Sequence, residues 1–195
     1  MLRRATVTEP FGPSALRTPA NAVTLARVLA MPVLMVMIAD HGATWATVGF
    51  WFCISCTDGL DGWLARRHGA TRSGAFLDPL ADKVVVLAAM AVLVEQGVFA
   101  WFPVALIAVR EAGLVIYRTS LGRRGVSIPA RPSAKVKTLV QDLAVGAALL
   151  PWTADQLWIA RTLLWVAVVL TLVTGWQYLT DGRRAGTLPE VSRAV

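Results

Sequence analysis

Charge is scarce in this chain. Only 16% of its 195 residues are Asp, Glu, Lys or Arg, against about 25% in an average soluble domain. With 56% hydrophobic residues and a mean hydropathy of +0.59, this shortage excludes a disordered chain and argues against a water-soluble globule. Cysteine is nearly absent too. The two present, Cys53 and Cys56, sit in the apolar run Trp51-Phe-Cys-Ile-Ser-Cys, whereas a disulfide scaffold needs many more. Histidine is limited to His41 and His68, which leaves the thiols without partners for a zinc site. Both cysteines are expected to be small buried membrane residues. No apolar stretch directly follows Arg3 and Arg4, and no small-residue cleavage site is evident. The first apolar run is therefore expected to be retained, not removed as a signal peptide. There is no fixed-period repeat, low-complexity tract or second domain.

What is present is apolar length. A spanning helix needs about 20 mostly apolar residues, and such runs occur at 21–39, 44–66, 76–97, 101–121, 135–153 and 156–179. Short polar breaks rich in Gly and Pro separate them. The expected fold is all-α, a polytopic membrane protein with six transmembrane helices. One domain would cover 19–180, between a polar N-terminal segment at 1–18 and a polar tail at 181–195.

The formal net charge of +7 admits nucleic acid, an anionic membrane surface or an anionic substrate as partner. Placing the cations on the spans decides among them. Segments one loop apart hold Arg3, Arg4 and Arg17, then Arg66, Arg67 and Arg72, then a group from Arg118 to Lys137, then Arg183, Arg184 and Arg193. Fifteen basic residues thus share one side, and the opposite loops offer only Arg161. The positive-inside rule puts both termini in the cytoplasm and the protein in the cytoplasmic membrane. Nucleic acid drops out. Trp45, Trp51, Trp101, Trp152 and Trp158 gather towards the other interface, as an aromatic belt does.

Some charges are out of place for a simple anchor. Asp58 and Asp61 lie in the second span, Asp78, Asp82 and Lys83 open the third, and Arg110 and Glu111 are inside the fourth. Arg27 is inside the first and Asp142 inside the fifth. An Asp at a membrane helix centre costs about 2.5–3.5 kcal/mol on insertion scales, so such residues are functional candidates by default. All converge on the cytoplasmic third of the bilayer, with no matching string of charge beyond it. A pore or pump needs polar steps through both halves; a pocket open to the cytoplasm does not.

Asp58 and Asp61 are three apart and Asp78 and Asp82 four apart, so each pair shares a helix face. The short connection makes the two helices expected antiparallel neighbours. Four facing carboxylates cannot all stay ionised without cations. Hard oxygen ligands suit Mg²⁺ or Mn²⁺, and two such ions clamp an in-line phosphoryl displacement. Gly59 and Gly62 leave the helix surface bare between the acids. The bland alternative is a buried ion network in which the acids pair with Arg66, Arg67 and Lys83. Two acid pairs with interleaved glycines in successive spans make it the weaker reading.

The segment Asp58-Gly-Leu-Asp61-Gly62-Trp-Leu-Ala65-Arg66, followed by Gly74, Asp78 and Asp82 at fixed intervals, resembles the signature of the CDP-alcohol phosphatidyltransferases. All eight fixed positions match. The likeness extends from Pro19-Ala-Asn21-Ala-Val-Thr24-Leu-Ala-Arg27 to the last span. It implies a six-helix homodimer with its active site on the cytoplasmic side. It further implies that Asp58, Asp61, Asp78 and Asp82 hold two divalent ions, with Asp82 also the general base. Asn21, Ala22, Val23, Thr24, Gly62, Arg66 and Thr71 match positions that contact the cytidine diphosphate of a CDP-linked lipid. The acceptor hydroxyl would lose its proton to Asp82 and attack the phosphorus attached to diacylglycerol, releasing CMP.

A second stretch, Val109-Arg110-Glu111, Arg118, Ile128-Pro-Ala-Arg131, Lys135-Val-Lys137-Thr138 and Gln141, is similar to the phosphatidylglycerophosphate synthase branch of that family. The likeness implies CDP-diacylglycerol as donor and glycerol 3-phosphate as acceptor. A dianionic phosphate needs cations, and Arg110, Arg118, Arg131, Lys135 and Lys137 are the candidates. Ala134 departs from the pattern, since those synthases usually carry Gly before this lysine. Arg123 and Arg124 are expected to set orientation and touch anionic lipid. His68 is expected to be a solvated loop residue, Glu111 to pair with Arg110 or Arg118, Asp142 to steady the lysines, and Pro32 to kink the first span. The rival readings are the same chemistry on phosphatidylglycerol or inositol phosphate, a divalent-cation carrier, and a silent CDP-lipid binder.

Overall fold

The apolar runs fold as helices because each is bounded by residues that stop one. The computed structural model describes the backbone of residues 19–68, 74–123 and 132–186, and the side chains of 25–57, 83–117, 119, 120 and 135–180. Six helices follow in order: α1 (Pro19–His41), α2 (Trp45–His68), α3 (Gly74–Glu95), α4 (Trp101–Arg123), α5 (Pro132–Leu149) and α6 (Leu157–Gly186). A single 3-10 turn, Pro151–Thr153, joins the last two.

The helix ends are chemically legible. Gly42 and Gly97 take positive φ, +58° and +71°, where a side chain would be strained. The Gly42 amide donates to the Ile38 carbonyl at 3.0 Å, and the Val98 amide to Leu93 at 3.0 Å, closing α1 and α3. Thr44 caps α2 by accepting the Thr47 amide on Oγ1 at 3.2 Å, satisfying one orphan donor of the first turn. Proline opens α1 and α5, where its missing N–H costs nothing.

Packing divides the bundle into two three-helix halves. α1 packs against both α2 and α3, while α6 packs against both α5 and α4. Thinner contacts of α3 with α4 and α5, and of α2 with α5, join the halves. The α2–α3 neighbourhood expected from their short connection falls on segments whose side chains lie outside the described residues. The α5–α6 seam is close because small residues line it. Ala144 and Ala148 on α5 and Ala160 and Ala167 on α6 are all buried, and such residues let backbones approach where no hydrophobic drive exists between helices. Leu34, Ile38, Met90, Leu93 and Leu149 fill the remaining core.

Two expectations are corrected. Trp51 is not a belt residue: it is 3% exposed, lies against Gly146 and donates Nε1 to the Asp142 carbonyl at 3.3 Å. Six residues into α2, it is more than a turn below Trp45 and faces α5. Cys53 and Cys56 are free thiols on the exposed surface of α2, not buried, because that helix turns Trp51 and Ile54 inward instead. The other four named tryptophans are on the surface. Trp45, Trp101, Trp152 and Trp158 are exposed at the end where α2, α4 and α6 begin, with Trp45 edge-on to Trp152 at 5.0 Å. Arg161, the lone cation at that end, donates to the Val98 carbonyl at 2.9 Å and to Gly97 at 3.2 Å. It pins the start of α6 to the α3–α4 connection.

Among the described residues one helix, over Leu157–Thr180, is long and apolar enough by itself to cross a membrane. Charges interrupt α4 and α5, which carry Arg110, Glu111, Lys135, Lys137 and Asp142.

Candidate functional site

Charge inside an apolar bundle must find opposite charge or hydrogen bonds, since the desolvation cost of a lone ion is several kcal/mol. The structure shows where that pairing is made. Glu111, on the inward face of α4, is 3% exposed and Lys137 of α5 equally so. The Lys137 ammonium donates to Glu111 Oε1. Arg110, the preceding residue, donates Nη1 to the same oxygen at 2.8 Å. From α3, Lys83 Nζ lies 2.9 Å from Oε2. One carboxylate therefore gathers three cations from three helices.

α6 completes the seat of Arg110. Its Nη2 donates to Thr174 Oγ1 at 2.7 Å, while the Thr174 hydroxyl donates to the Leu170 carbonyl at 2.7 Å. Gly175 supplies the room. A Cβ built there meets Arg110 Nε at 3.1 Å and Cγ at 3.5 Å. One turn towards the start of α6, Thr171 Oγ1 accepts from Gln141 Nε2 of α5 at 3.2 Å. A small cavity lined by Lys83, Val86, Leu87, Glu111, Thr138 and Gln141 opens beside the cluster. Four of these residues are polar and two, Val86 and Leu87, are aliphatic.

Arg27 reaches a second buried polar contact. It is 4% exposed, and its Nε donates to Thr57 Oγ1 at 3.3 Å. Thr57 immediately precedes Asp58, so this bond fixes α1 against α2 beside the first acid.

The candidate residues named from the sequence divide accordingly. Arg110 and Lys137 are brought together on Glu111, while Lys135 is exposed on α5. Asp58, Asp61, Gly62 and Arg66 lie on α2, Asp78 and Asp82 on α3, Asn21, Ala22, Val23 and Thr24 on α1, and Arg118 on α4. The side chains of all these lie outside the described residues. Thr71 and Arg131 lie outside them entirely. Glu111 does pair with Arg110, as expected. Its hold on Lys137 and Lys83 was not foreseen, nor were Thr171, Thr174 and Gly175. The only signal available was a Thr-x-x-Thr-Gly step within an otherwise aliphatic span, which is unremarkable without the arginine opposite.

Residues 17–173 match the family model described as CDP-alcohol phosphatidyltransferase. The chain is 37% identical over 171 residues to a probable phosphatidylglycerophosphate synthase of Mycobacterium tuberculosis, covering 85% of this chain and 81% of that protein. It is 35% identical over 184 residues to a Bacillus subtilis CDP-diacylglycerol–glycerol-3-phosphate 3-phosphatidyltransferase, covering 85% and 95%. A Salmonella choleraesuis protein of the same name is 40% identical over 174 residues, covering 83% and 92%.

Proposed function

Since the chain belongs to the CDP-alcohol phosphatidyltransferase family, we propose that it moves the phosphatidyl group of CDP-diacylglycerol onto glycerol 3-phosphate, giving phosphatidylglycerophosphate and CMP. One observation carries this reading. The complete acid signature, from Asp58 to Asp82 on α2 and α3, sits in a chain aligned over more than four fifths of its length with transferases named for that reaction.

The donor set suits hard divalent ions. Helical backbone runs through both acid pairs, so Asp58 with Asp61, and Asp78 with Asp82, each present two carboxylates on one helix face. Mg²⁺ or Mn²⁺ is the fitting choice for such oxygen ligands. Two ions held there supply charge neutralisation at the donor pyrophosphate. Among the described residues no other cluster of three metal-binding side chains occurs.

The chain's own residues do the rest. Asn21 to Thr24 of α1, Gly62 and Arg66 of α2, and Thr71 grip the cytidine diphosphate. Asp82 accepts the proton of the attacking hydroxyl. The new bond forms between that oxygen and the phosphorus bearing diacylglycerol, the bond from that phosphorus to the CMP oxygen breaks, and CMP leaves. Arg110, Arg118, Arg131, Lys135 and Lys137 receive the acceptor's phosphate.

The protein works within the membrane, as a multi-pass homodimer with both termini and the active site facing the cytoplasm. The placement in lipid is supported by every helix exposing large apolar side chains, among them Leu29, Phe52, Val84, Val109, Leu139 and Trp176. Soluble monomers rarely expose contiguous apolar patches beyond a few hundred Å².

An acceptor panel tests the reading. Purified protein given CDP-diacylglycerol in mixed micelles is expected to release CMP with glycerol 3-phosphate, and not with phosphatidylglycerol or inositol phosphate. Release with either of the latter alone assigns another acceptor. Cation flux into liposomes free of lipid donor would point to a carrier.

A smaller effect follows from Gly175. Arg110 is tied at both ends, by Glu111 and by Thr174, so it cannot give way to an added methyl without losing one bond. Gly175→Ala is expected to raise the KM for glycerol 3-phosphate about threefold, part of the worth of one hydrogen bond from a charged donor, while leaving the KM for CDP-diacylglycerol in place.

A further inference from the structure

Among the described residues, the cluster around Glu111 carries more cation than it needs for its own neutrality. Lys83, Arg110 and Lys137 contribute three formal positive charges, and Glu111 returns one negative charge. If these groups existed only to neutralise one another inside the bundle, one cation would serve the carboxylate. Each extra buried cation costs desolvation. The surplus of two among these residues equals the charge of a phosphate monoester dianion.

We infer that Glu111 is a positioning residue for the acceptor: it aims Lys83, Arg110 and Lys137 as one set whose surplus charge receives the acceptor's phosphate, an inference that rests on the proposed transferase function. Two features argue that the set is built and not incidental. Its members come from three different helices, α3, α4 and α5, and among the described residues Glu111 is the anion they share against their mutual repulsion. Arg110 is also seated from a fourth helix, by the Thr174 hydroxyl and the space over Gly175. The cavity beside the set is lined by Lys83, Glu111, Thr138 and Gln141 together with Val86 and Leu87, so charged and uncharged polar side chains meet there. Lys83 is the residue after Asp82, so the set begins one helical step from the proposed base. A phosphate held by this set stays on the acceptor, at one end of a three-carbon backbone whose other end carries the attacking hydroxyl.

Glu111→Gln keeps the shape but removes the charge, and it puts an NH2 donor where Oε2 faces the Lys83 ammonium. The test is a split of kinetic constants in purified protein that elutes as the wild type does in detergent. Glu111→Gln is expected to raise the KM for glycerol 3-phosphate about tenfold or more, the range for losing a charge-assisted pairing, with the KM for CDP-diacylglycerol changed less than about twofold. Glu111→Asp should recover part of the loss. A purely structural role predicts less folded protein and equal effects on both substrates. If Glu111→Gln yields no folded enzyme, Thr174→Val decides the matter, because it keeps the helix and the shape while removing one acceptor from Arg110. A KM for glycerol 3-phosphate raised about threefold supports the inference; an unchanged one overturns it. Wild-type protein that releases CMP with glycerol 3-phosphate, combined with an unaltered KM in Glu111→Gln, overturns this inference alone. Wild-type protein indifferent to glycerol 3-phosphate overturns the transferase reading with it.

Discussion

Asp82→Asn is expected to lower CMP release by a factor of about 10²–10⁴, the usual worth of a positioned general base. The substitution is nearly isosteric and lies inside a continuous helix, α3, so the bundle should survive it. What the amide lacks is basicity. It cannot take the proton from the acceptor hydroxyl, and a neutral hydroxyl is a poor nucleophile at phosphorus. Asp82 also belongs to the proposed metal set, so the two roles need separating. Asp58→Asn serves as the comparison. If Asp58 only binds metal, raising Mg²⁺ should recover much of its activity, whereas no metal concentration should rescue Asp82→Asn. Radiolabelled CMP release in mixed micelles, measured across a metal titration, distinguishes the two. Full turnover in Asp82→Asn removes Asp82 from the base role.

The second large effect is metal removal. Protein stripped with EDTA should fall to the rate seen without enzyme, and Mg²⁺ or Mn²⁺ should restore it. The physical reason is the repulsion expected among the four proposed carboxylate ligands once no cation is present. The same repulsion gives a readout independent of turnover. A ligand that binds the folded state alone raises its stability in proportion to the logarithm of its concentration, so the melting temperature of the detergent-solubilised chain should climb with added Mg²⁺. Asp61→Asn should shift that climb to higher metal concentration. An enzyme equally active in EDTA would dispose of the two-ion reading and leave the acids as structural partners of Arg66, Arg67 and Lys83.

How much of this was legible beforehand depends on the kind of signal. Helix number and order follow from apolar runs broken by Gly and Pro, and α4, expected at 101–121, occupies Trp101–Arg123. Boundaries drift where helicity and apolarity part company. α5 starts at Pro132, ahead of the apolar run, because proline is pre-organised for a first turn. α6 continues to Gly186, through residues 181–186 that were assigned to the polar tail, since a charged stretch can remain helical once it leaves the apolar phase. Tertiary detail was harder to read. A tryptophan near an interface can serve a belt or a core, and only the neighbouring Gly146 makes Trp51 a core residue. The four acids stood out because charge in an apolar span is costly. Thr174 and Gly175 are cheap there and gave no such signal. Glu111 was visible as a charge, but its grip on Lys83 and Lys137 depends on how α3, α4 and α5 meet, which spacing along one helix does not encode.

The division of the bundle into two halves has a consequence for how such an enzyme can diversify. On the proposed assignment the nucleotide-lipid contacts and the acids fall on α1 to α3 and the connection from α2 to α3. The acceptor's cations fall on α4, α5 and the connection between them, with Lys83 the one representative across the seam. The helices of each half bind one another more extensively than they bind the other half. On that assignment, donor recognition and acceptor recognition would be carried by separately packed blocks of one chain. Substitutions lining α4 to α6 can retune which alcohol is accepted without disturbing the surface that holds the activated lipid.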